Sequence, residues 1–271
     1  MNVTIQNINI QNFDTGIYLK YSLNNSIVGN SITANNGYGI YLDSSYTNSI
    51  YINNITNNYN GIVLDSSSHN KISKNSITAN NNGIELDFSS NNSITGNNIT
   101  VNHEDGIVLE NNSYNNSIVG NSITANNYCG IRLGSSNNSI FHNNFVNNTY
   151  HVCNENSINV WDDGYPSGGN YWSDYTGEDL YSGPYQNETS SDGIGDTSYI
   201  IDENNVDRYP LMGPFNSFNT SVGYSVGVVS NSTIGDFRYF ESNSTIVMHV
   251  SNMTANQTVG FCRLTIPHEV M

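Results

Sequence analysis

The sequence predicts an all-β solenoid, a parallel β-helix with about 22 residues per coil, and three recurrences point to it. A Gly-Ile-x-Leu step begins at Gly16, Gly39, Gly61, Gly83, Gly106 and Gly130. An Ile with Asn two residues before it recurs at Ile27, Ile50, Ile72, Ile94, Ile118 and Ile140. A third apolar position follows five residues later, at Ile32, Ile55, Ile77, Ile99, Ile123 and Phe145. Three short apolar-centred segments per period, each bounded by Asn, Ser or Gly, read as three strands and three turns. Apolar residues do not recur at helical spacing, and Asn, Ser, Thr and Gly are poor helix formers. Strand-only repeats of this length stack as coils. The leucine-rich repeat has a similar length, but its L-x-x-L-x-L-x-x-N pattern is absent.

Within a coil, the two-residue period of a strand turns Ile62 and Leu64 inward and Val63 and Asp65 outward. The inward residues should stack into aliphatic ladders at the roughly 4.8 Å spacing of adjacent strands. The Gly of each step is expected to supply a positive φ at a corner, often after Asn, as at Asn60-Gly61. Turn Asn residues in register should hydrogen-bond up the stack through their amides.

Residues 1–160 are assigned to the β-helix. Ile5, Ile8 and Ile17 open it in ladder positions, in a pattern already under way, as though continuing something longer. From Asn147 the pattern loosens, and Tyr150, Val152, Ile158 and Val160 read as a last coil. Residues 161–214 are rich in Trp, Tyr, Gly and Asp and read as an irregular cap, because a solenoid end must be covered. Trp161, Tyr171 and Trp172 are expected to pack on the ladder ends near Val152 and Val160. Residues 215–271 alternate as the strands of a β-sandwich-like module, at Val222/Tyr224/Val226, Phe237/Tyr239, Ile246/Met248/Val250 and Phe261/Arg263/Thr265. Four strands are few for a sandwich, so the module reads as truncated or completed by a neighbouring chain. Self-association through it, or through the solenoid ends, is the expectation.

A net charge of −16, from 23 acidic and 7 basic residues, argues against nucleic acid and anionic membranes as partners. No apolar run reaches the length of a membrane span. Polarity comes mainly from Asn, Ser and Thr, a surface suited to glycans or other surface proteins. Sequons such as Asn54-Ile55-Thr56 and Asn187-Glu188-Thr189 fit a secreted or cell-surface glycoprotein. Of the three cysteines, Cys129 and Cys153 lie near one coil apart. Aligning Tyr128 with Tyr150 sets Cys153 opposite Ile131, an offset too great for a disulfide.

The coil built on N-x-I and G-I-x-L, followed by Gly169-Asn170-Tyr171-Trp172-Ser173-Asp174, the DGIGD run from Asp192, and Asp207-Arg208-Tyr209-Pro210-Leu211, resembles the NosD-like right-handed β-helix family. The resemblance covers about residues 1–215. It implies kinship with carbohydrate-binding and sugar-hydrolase β-helices, in the style of archaeal surface proteins, and it raises copper as a ligand. Soft donors are scattered, however: only Cys129, His151 and Cys153 approach one another in the repeat, and no Met-rich or His-x-His cluster appears.

Two further candidate sites follow from the residues. An outward row one step after each Leu reads Lys20, Asp43, Asp65, Asp87, Glu110 and Gly134, with Glu85 on the same face as Asp87. With Tyr18 and Tyr41 alongside, Asp43, Asp65, Glu85 and Asp87 make a candidate sugar-binding face. In a polysaccharide hydrolase, lyase or epimerase, Asp65, Asp87 and Glu110 would be the catalytic carboxylates. Repetition once per coil favours turn-forming Asp over a catalytic pair, so a non-catalytic scaffold or carbohydrate-binding role is the primary reading. The run from Glu188 to Asp196 resembles a Ca²⁺ loop, with Glu188, Ser190, Asp192 and Asp196 as ligands.

Overall fold

Short β-branched triplets such as Ser-Ile-Thr can pair only with copies of themselves one period away, and the chain takes that course. In the computed structural model, which describes residues 2–221 and 223–268, the repeats form three parallel sheets. Val222, one of the expected strand residues, lies outside the described residues. The first sheet runs from Thr4–Gln6 to Ser139–Phe141 and the third from Ile17–Lys20 to Tyr150–Asn154. The second runs from Asn9–Gln11 to Asn144–Val146 and then gains Tyr171–Trp172. Equivalent residues face each other throughout, as Ile72 faces Ile50 and Ile94, and Leu86 faces Leu64 and Leu109. The inward Ile and Leu of the regular coils are wholly buried in one continuous core. Each such side chain contributes about 1.5–3 kcal/mol. Ile8 departs from expectation: it is exposed at a corner, its N–H donates to Asn30 Oδ1 at 3.2 Å, and Ile10 supplies the inward residue.

The corners are held by buried amides. Three Asn ladders climb the solenoid, from Asn25 to Asn159, Asn30 to Asn170, and Asn35 to Asn148. Asn75 is representative. Its Oδ1 accepts both the backbone and the side-chain N–H of Asn53 at 3.0 Å. Its own amide donates to Asn97 Oδ1 at 3.0 Å and to the Ile50 carbonyl at 2.9 Å. A fourth ladder of Ser45, Ser67, Ser89, Ser113 and Ser135 does the same with hydroxyls. The residue before each regular ladder position is left-handed, including Ile52 at φ 57° and Val101 at φ 55°. For a β-branched residue that conformation costs about 1–2 kcal/mol, which the ladder bonds offset.

The glycines of the Gly-Ile-x-Leu step are therefore not the positive-φ residues; those positions fall to residues just before the ladders. Gly is required for a different reason. A Cβ on Gly61 would stand 2.5 Å from the Gly83 carbonyl oxygen and 2.9 Å from Ile77 Cγ2. Only a bare Cα lets successive coils approach this closely. The step ends where His151 takes the Gly place after Gly130, with no further coil of that sheet above it.

The cap finishes the ladders with imitations of another coil. Asn205 Oδ1 accepts Asn159 N–H at 3.0 Å, and Asp207 Oδ2 accepts Asn170 N–H at 2.7 Å, as a next-coil Asn would. Trp161 and Trp172 donate their indole N–H groups to the same two acceptors. Gly169 makes room, since a Cβ there would overlap Asp207. Trp172 also extends the aliphatic ladder, stacked between Phe145 at 4.5 Å and Tyr199 at 4.3 Å. Trp161, Trp172 and Val152 thus join the solenoid core as expected. Tyr171 instead packs with Ile194, Leu211 and Val229, and Val160 is exposed.

Beyond the cap, the strands Phe215–Asn219, Ser225–Ser230 and Cys262–Thr265 form an antiparallel sheet. Ser232–Phe240 and Thr245–Asn252 form a hairpin over Val226 and Val228. Phe215 ties this unit to the solenoid, stacked on His142 at 4.4 Å and bonded through its backbone to Asn144.

Leu64→Ala should cost 2–5 kcal/mol by leaving a cavity between intact coils, whereas Asp65→Asn on the outer face should cost less than about 1 kcal/mol. Denaturant melts of the two variants check the assignment of faces. Asp207 gives a pH signature. Burial, together with nearby Asp162, raises its pKa to about 7 against the donated bonds of Asn170, Trp172 and Tyr209. Arg208 pairs with Asp162, and Tyr199 stacks on Trp172. A carboxyl raised in the fold contributes stability that is complete below about pH 4 and is lost as pH rises through 7. Asp207→Asn should flatten this loss, which urea titrations at pH 5 and pH 8 would measure.

Candidate functional site

The outer face of the third sheet carries three outward positions per coil. One precedes the Gly, one lies between the inward Ile and Leu, and one follows the Leu. The strand bends at the Gly, so the residue before it reaches the middle outward position of the following coil. Asn60 donates to Glu85 at 2.6 Å, and Arg132 Nε donates to Asp105 at 2.7 Å, by this same diagonal. Cys129 and Cys153 repeat it and are joined as a disulfide, with Cα atoms 5.9 Å apart. The expectation of no disulfide is thereby corrected. Cys153 lies opposite Arg132 rather than Ile131, and the bend brings the pair within bonding range where a straight strand would not.

At the opposite end of this face, Tyr18 and Tyr41 stack at 5.2 Å with their planes 6° apart, and Tyr38 leans on Tyr41 at 4.8 Å. Each hydroxyl donates one coil onward, Tyr18 to Asp43 at 2.8 Å and Tyr41 to Asp65 at 3.0 Å. Asp43 is the most heavily bonded carboxylate of this row, holding Lys20 at 2.8 Å and Ser44 besides, and Lys20 is the main cause of its lowered pKa. Asp65 accepts from Tyr41 and Ser66, and Asp87 from Asn111. A carboxylate offers about four acceptor positions. Unused acceptor capacity therefore grows along the row from Asp43 to Asp87.

Glu85 stands apart within this group. Burial, and after it the charges of Glu110 and Asp87, raise its pKa against hydrogen bonding from Asn82. The expected site residues Tyr18, Tyr41, Asp43, Asp65, Glu85, Asp87 and Glu110 thus share one face, in register from coil to coil. The distinction of Glu85 was not legible in the sequence, because it arises from burial on the assembled face, where Asn60 of the preceding coil donates to it. Arg132, one coil beyond the strand of Glu110 on this face, is engaged. Burial works against its charge, but Asp105 and then Glu155 outweigh it, and the guanidinium lies over Tyr128.

The expected Ca²⁺ loop has a different organisation. Asp196 accepts the N–H groups of Leu180 and Tyr181 at 2.9 and 3.0 Å. Asp179 accepts those of Asp192 and Gly193, and Asp192 accepts that of Ile194. Glu188 lies in a hairpin with Tyr181–Ser182, and Ser190 is exposed. Among the described residues, no three His, Cys, Asp or Glu come together in a group that could hold a metal. Backbone N–H groups thus supply positive partners to Asp179, Asp192 and Asp196.

The donors gathered around His151 do not fit a copper centre. Copper(I) favours thiolate and thioether ligands, and the two cysteines nearest His151 are bonded to each other. His151 itself faces inward at the end of the third Asn ladder, with Nδ1 3.4 Å from the Asn148 amide. Its Nε2 lies 3.3 Å from both Ser173 and Asp174, in a cleft of about 480 Å³ between last coil and cap. A hydrolytic triad places Asp and Ser on opposite ring nitrogens; here both lie at Nε2, which is not that arrangement.

Comparison with known families and structures agrees with this architecture. The family described as "Periplasmic copper-binding protein (NosD)" matches residues 1–177. Among solved structures, the periplasmic alginate epimerase AlgG aligns at 26% identity and a TM-score of 0.50, over 60% of this chain and 43% of that one. A single-residue mutant of the same epimerase aligns at 28% identity and a TM-score of 0.50, over 56% and 38%. The chain thus spans about two fifths of the epimerase it matches. No curated protein matches it.

With its loop held by backbone donors, the protein should show the same melting temperature in EDTA as in millimolar Ca²⁺. Asp196→Ala should lower it equally in both, and differential scanning calorimetry reads the four values.

Proposed function

This chain belongs to the NosD family, and from that premise we propose that it is a non-catalytic carbohydrate-binding β-helix protein of the cell surface or periplasm. The observation that carries the reading is the third sheet's outer face, where a tyrosine ridge adjoins carboxylates whose acceptor positions are only partly filled. Sugar rings pack their C–H faces on aromatic side chains, and sugar hydroxyls donate to carboxylates such as Asp65 and Asp87. A rigid solenoid repeats these acceptors once per coil, which suits a ligand that is itself a repeating chain. Glycans, or other glycan-bearing surface proteins, are the partners implied. The location is supported by the periplasmic description of the family and by the periplasmic epimerase whose fold is similar. Among the described residues, no helix is long and apolar enough to cross a membrane.

One observation favours a second reading, a polysaccharide hydrolase, lyase or epimerase. The raised carboxyl of Glu85 beside Asp87 and Glu110 is the kind of environment that separates an acid from a base. Against a lyase or epimerase stands Arg132, already paired with Asp105.

A glycan array probed with the purified chain should reveal ligands whose affinity falls about tenfold or more in Tyr41→Ala. The same preparations should release no reducing ends or unsaturated uronates from common polysaccharides. Turnover that disappears in Glu85→Gln would replace the binding role with the enzymatic one.

A further inference from the structure

A second surface of the solenoid has a chemistry opposite to that of the acidic face. The corner between the first and second sheets is occupied by Asn7, Gly29, Ile52, Lys74, Gly96, Gly120 and His142, one per coil and all left-handed. Gly96 and Gly120 leave a gap between the side chains of Lys74 and His142. A Cβ on Gly96 would meet only Lys74 Cγ at 3.8 Å, and one on Gly120 only Phe215 Cε1 at 3.8 Å. Phe215, stacked on His142 and clamped by Asn144 at 2.7 and 2.9 Å, closes the gap from the side of the C-terminal strands. The result is a groove of about 650 Å³, within the size range of small-ligand sites.

The lining is chemically selective. It contains hydroxyls and amides, among them Thr95, Asn98, Asn216 and Ser217, together with the Phe215 ring, and no carboxylate. Lys74 is its single cation; it is exposed and forms no ion pair among the described residues. Lys20, Arg132 and Arg208, by contrast, are each paired with an Asp. One ammonium matches one carboxylate, whereas a polyphosphate would need several charges. Amides and hydroxyls, which both donate and accept, match sugar hydroxyls, and the aromatic ring offers a platform. Charge repulsion from the distant acidic face is screened beyond about 8 Å at physiological salt.

We propose that this groove binds an oligosaccharide carrying a uronate, with Lys74 as partner of its carboxylate. The site does not depend on the third-sheet face, and its ligand differs in charge from one suited to a row of carboxylates.

Isothermal titration with trigalacturonate and with its fully methyl-esterified form tests the assignment at physiological salt. The acid should bind and the ester should bind about tenfold more weakly or not at all. Lys74→Gln should reduce acid binding about tenfold, and Lys71→Gln, three residues away and outside the groove, should not. Gly96→Ile should abolish binding by filling the groove, with folding retained because Ile52 already occupies the same corner; a thermal melt verifies that. Equal affinity for acid and ester, undiminished binding in Gly96→Ile, or no binding of trigalacturonate at all would each overturn the proposal.

Discussion

The structure depends on a hydrogen bond repeated at every corner, in which a buried Asn carbonyl accepts the backbone and side-chain N–H groups of the Asn one coil earlier. Strand pairing satisfies the backbone along the flat sheets, but where the chain turns inward between sheets its polar groups lose that ladder. Leaving one such group unpaired in the interior costs about 1–3 kcal/mol. Asn answers this because it brings an acceptor and two donors on a short stem. Asn75 uses all of them, to Asn53, Asn97 and the Ile50 carbonyl. Asp lacks the donors, and the longer stem of Gln would not fit the same turn. The same bonds hold the preceding residue in its left-handed conformation, even where it is Ile52 or Val101. Coil spacing, corner geometry and the register of the aliphatic core therefore share one cause.

A ladder of this kind has no internal reason to stop. Each ladder ends where a residue can accept without needing another residue above it. Asn205 ends the first and Asp207 the second, both from the cap, and His151 ends the third by standing where Gly had been obligatory. This explains the motifs of the cap. Gly169 leaves space for Asp207, Asn170 and Trp172 donate to it, and Arg208 holds Asp162 beside it. An Asp at the end of an Asn ladder accepts everything an Asn would, at the cost of burying an ionisable group whose charge state follows pH.

Because stacking constrains only the inward and corner positions, the outward positions are where chemistry can differ from coil to coil. On the third sheet the same diagonal carries an amide–carboxylate bond in one coil, an ion pair in another and a disulfide in the next after that. At the first corner the same position carries Ile, Lys, Gly or His without change of backbone. The solenoid thus separates stability from recognition. The core is uniform, and two faces of contrasting charge lie on it.

The sequence by itself determined the coil length, the three strands, the inward ladders of Ile and Leu and the outward row of acids, because side-chain alternation and period need no tertiary knowledge. It also marked the end of the helix at the loss of Gly-Ile-x-Leu and the importance of Asn170, Trp172 and Asp207, though not why they matter. Only the tertiary structure decided what depends on the approach of one coil to the next. The Gly of each step is there for clearance from the next coil's carbonyl, not for its φ. Cys129 reaches Cys153 because the strand bends, which counting along a straight strand cannot reveal. Glu85 takes a bond from Asn60 of the preceding coil, and Asp196 is occupied by N–H groups from residues 180 and 181. The groove at Lys74 exists because residues 71 positions apart, Asn144 and Phe215, meet. Period is a local property of the chain, whereas clearance, cover and convergence belong to the stack.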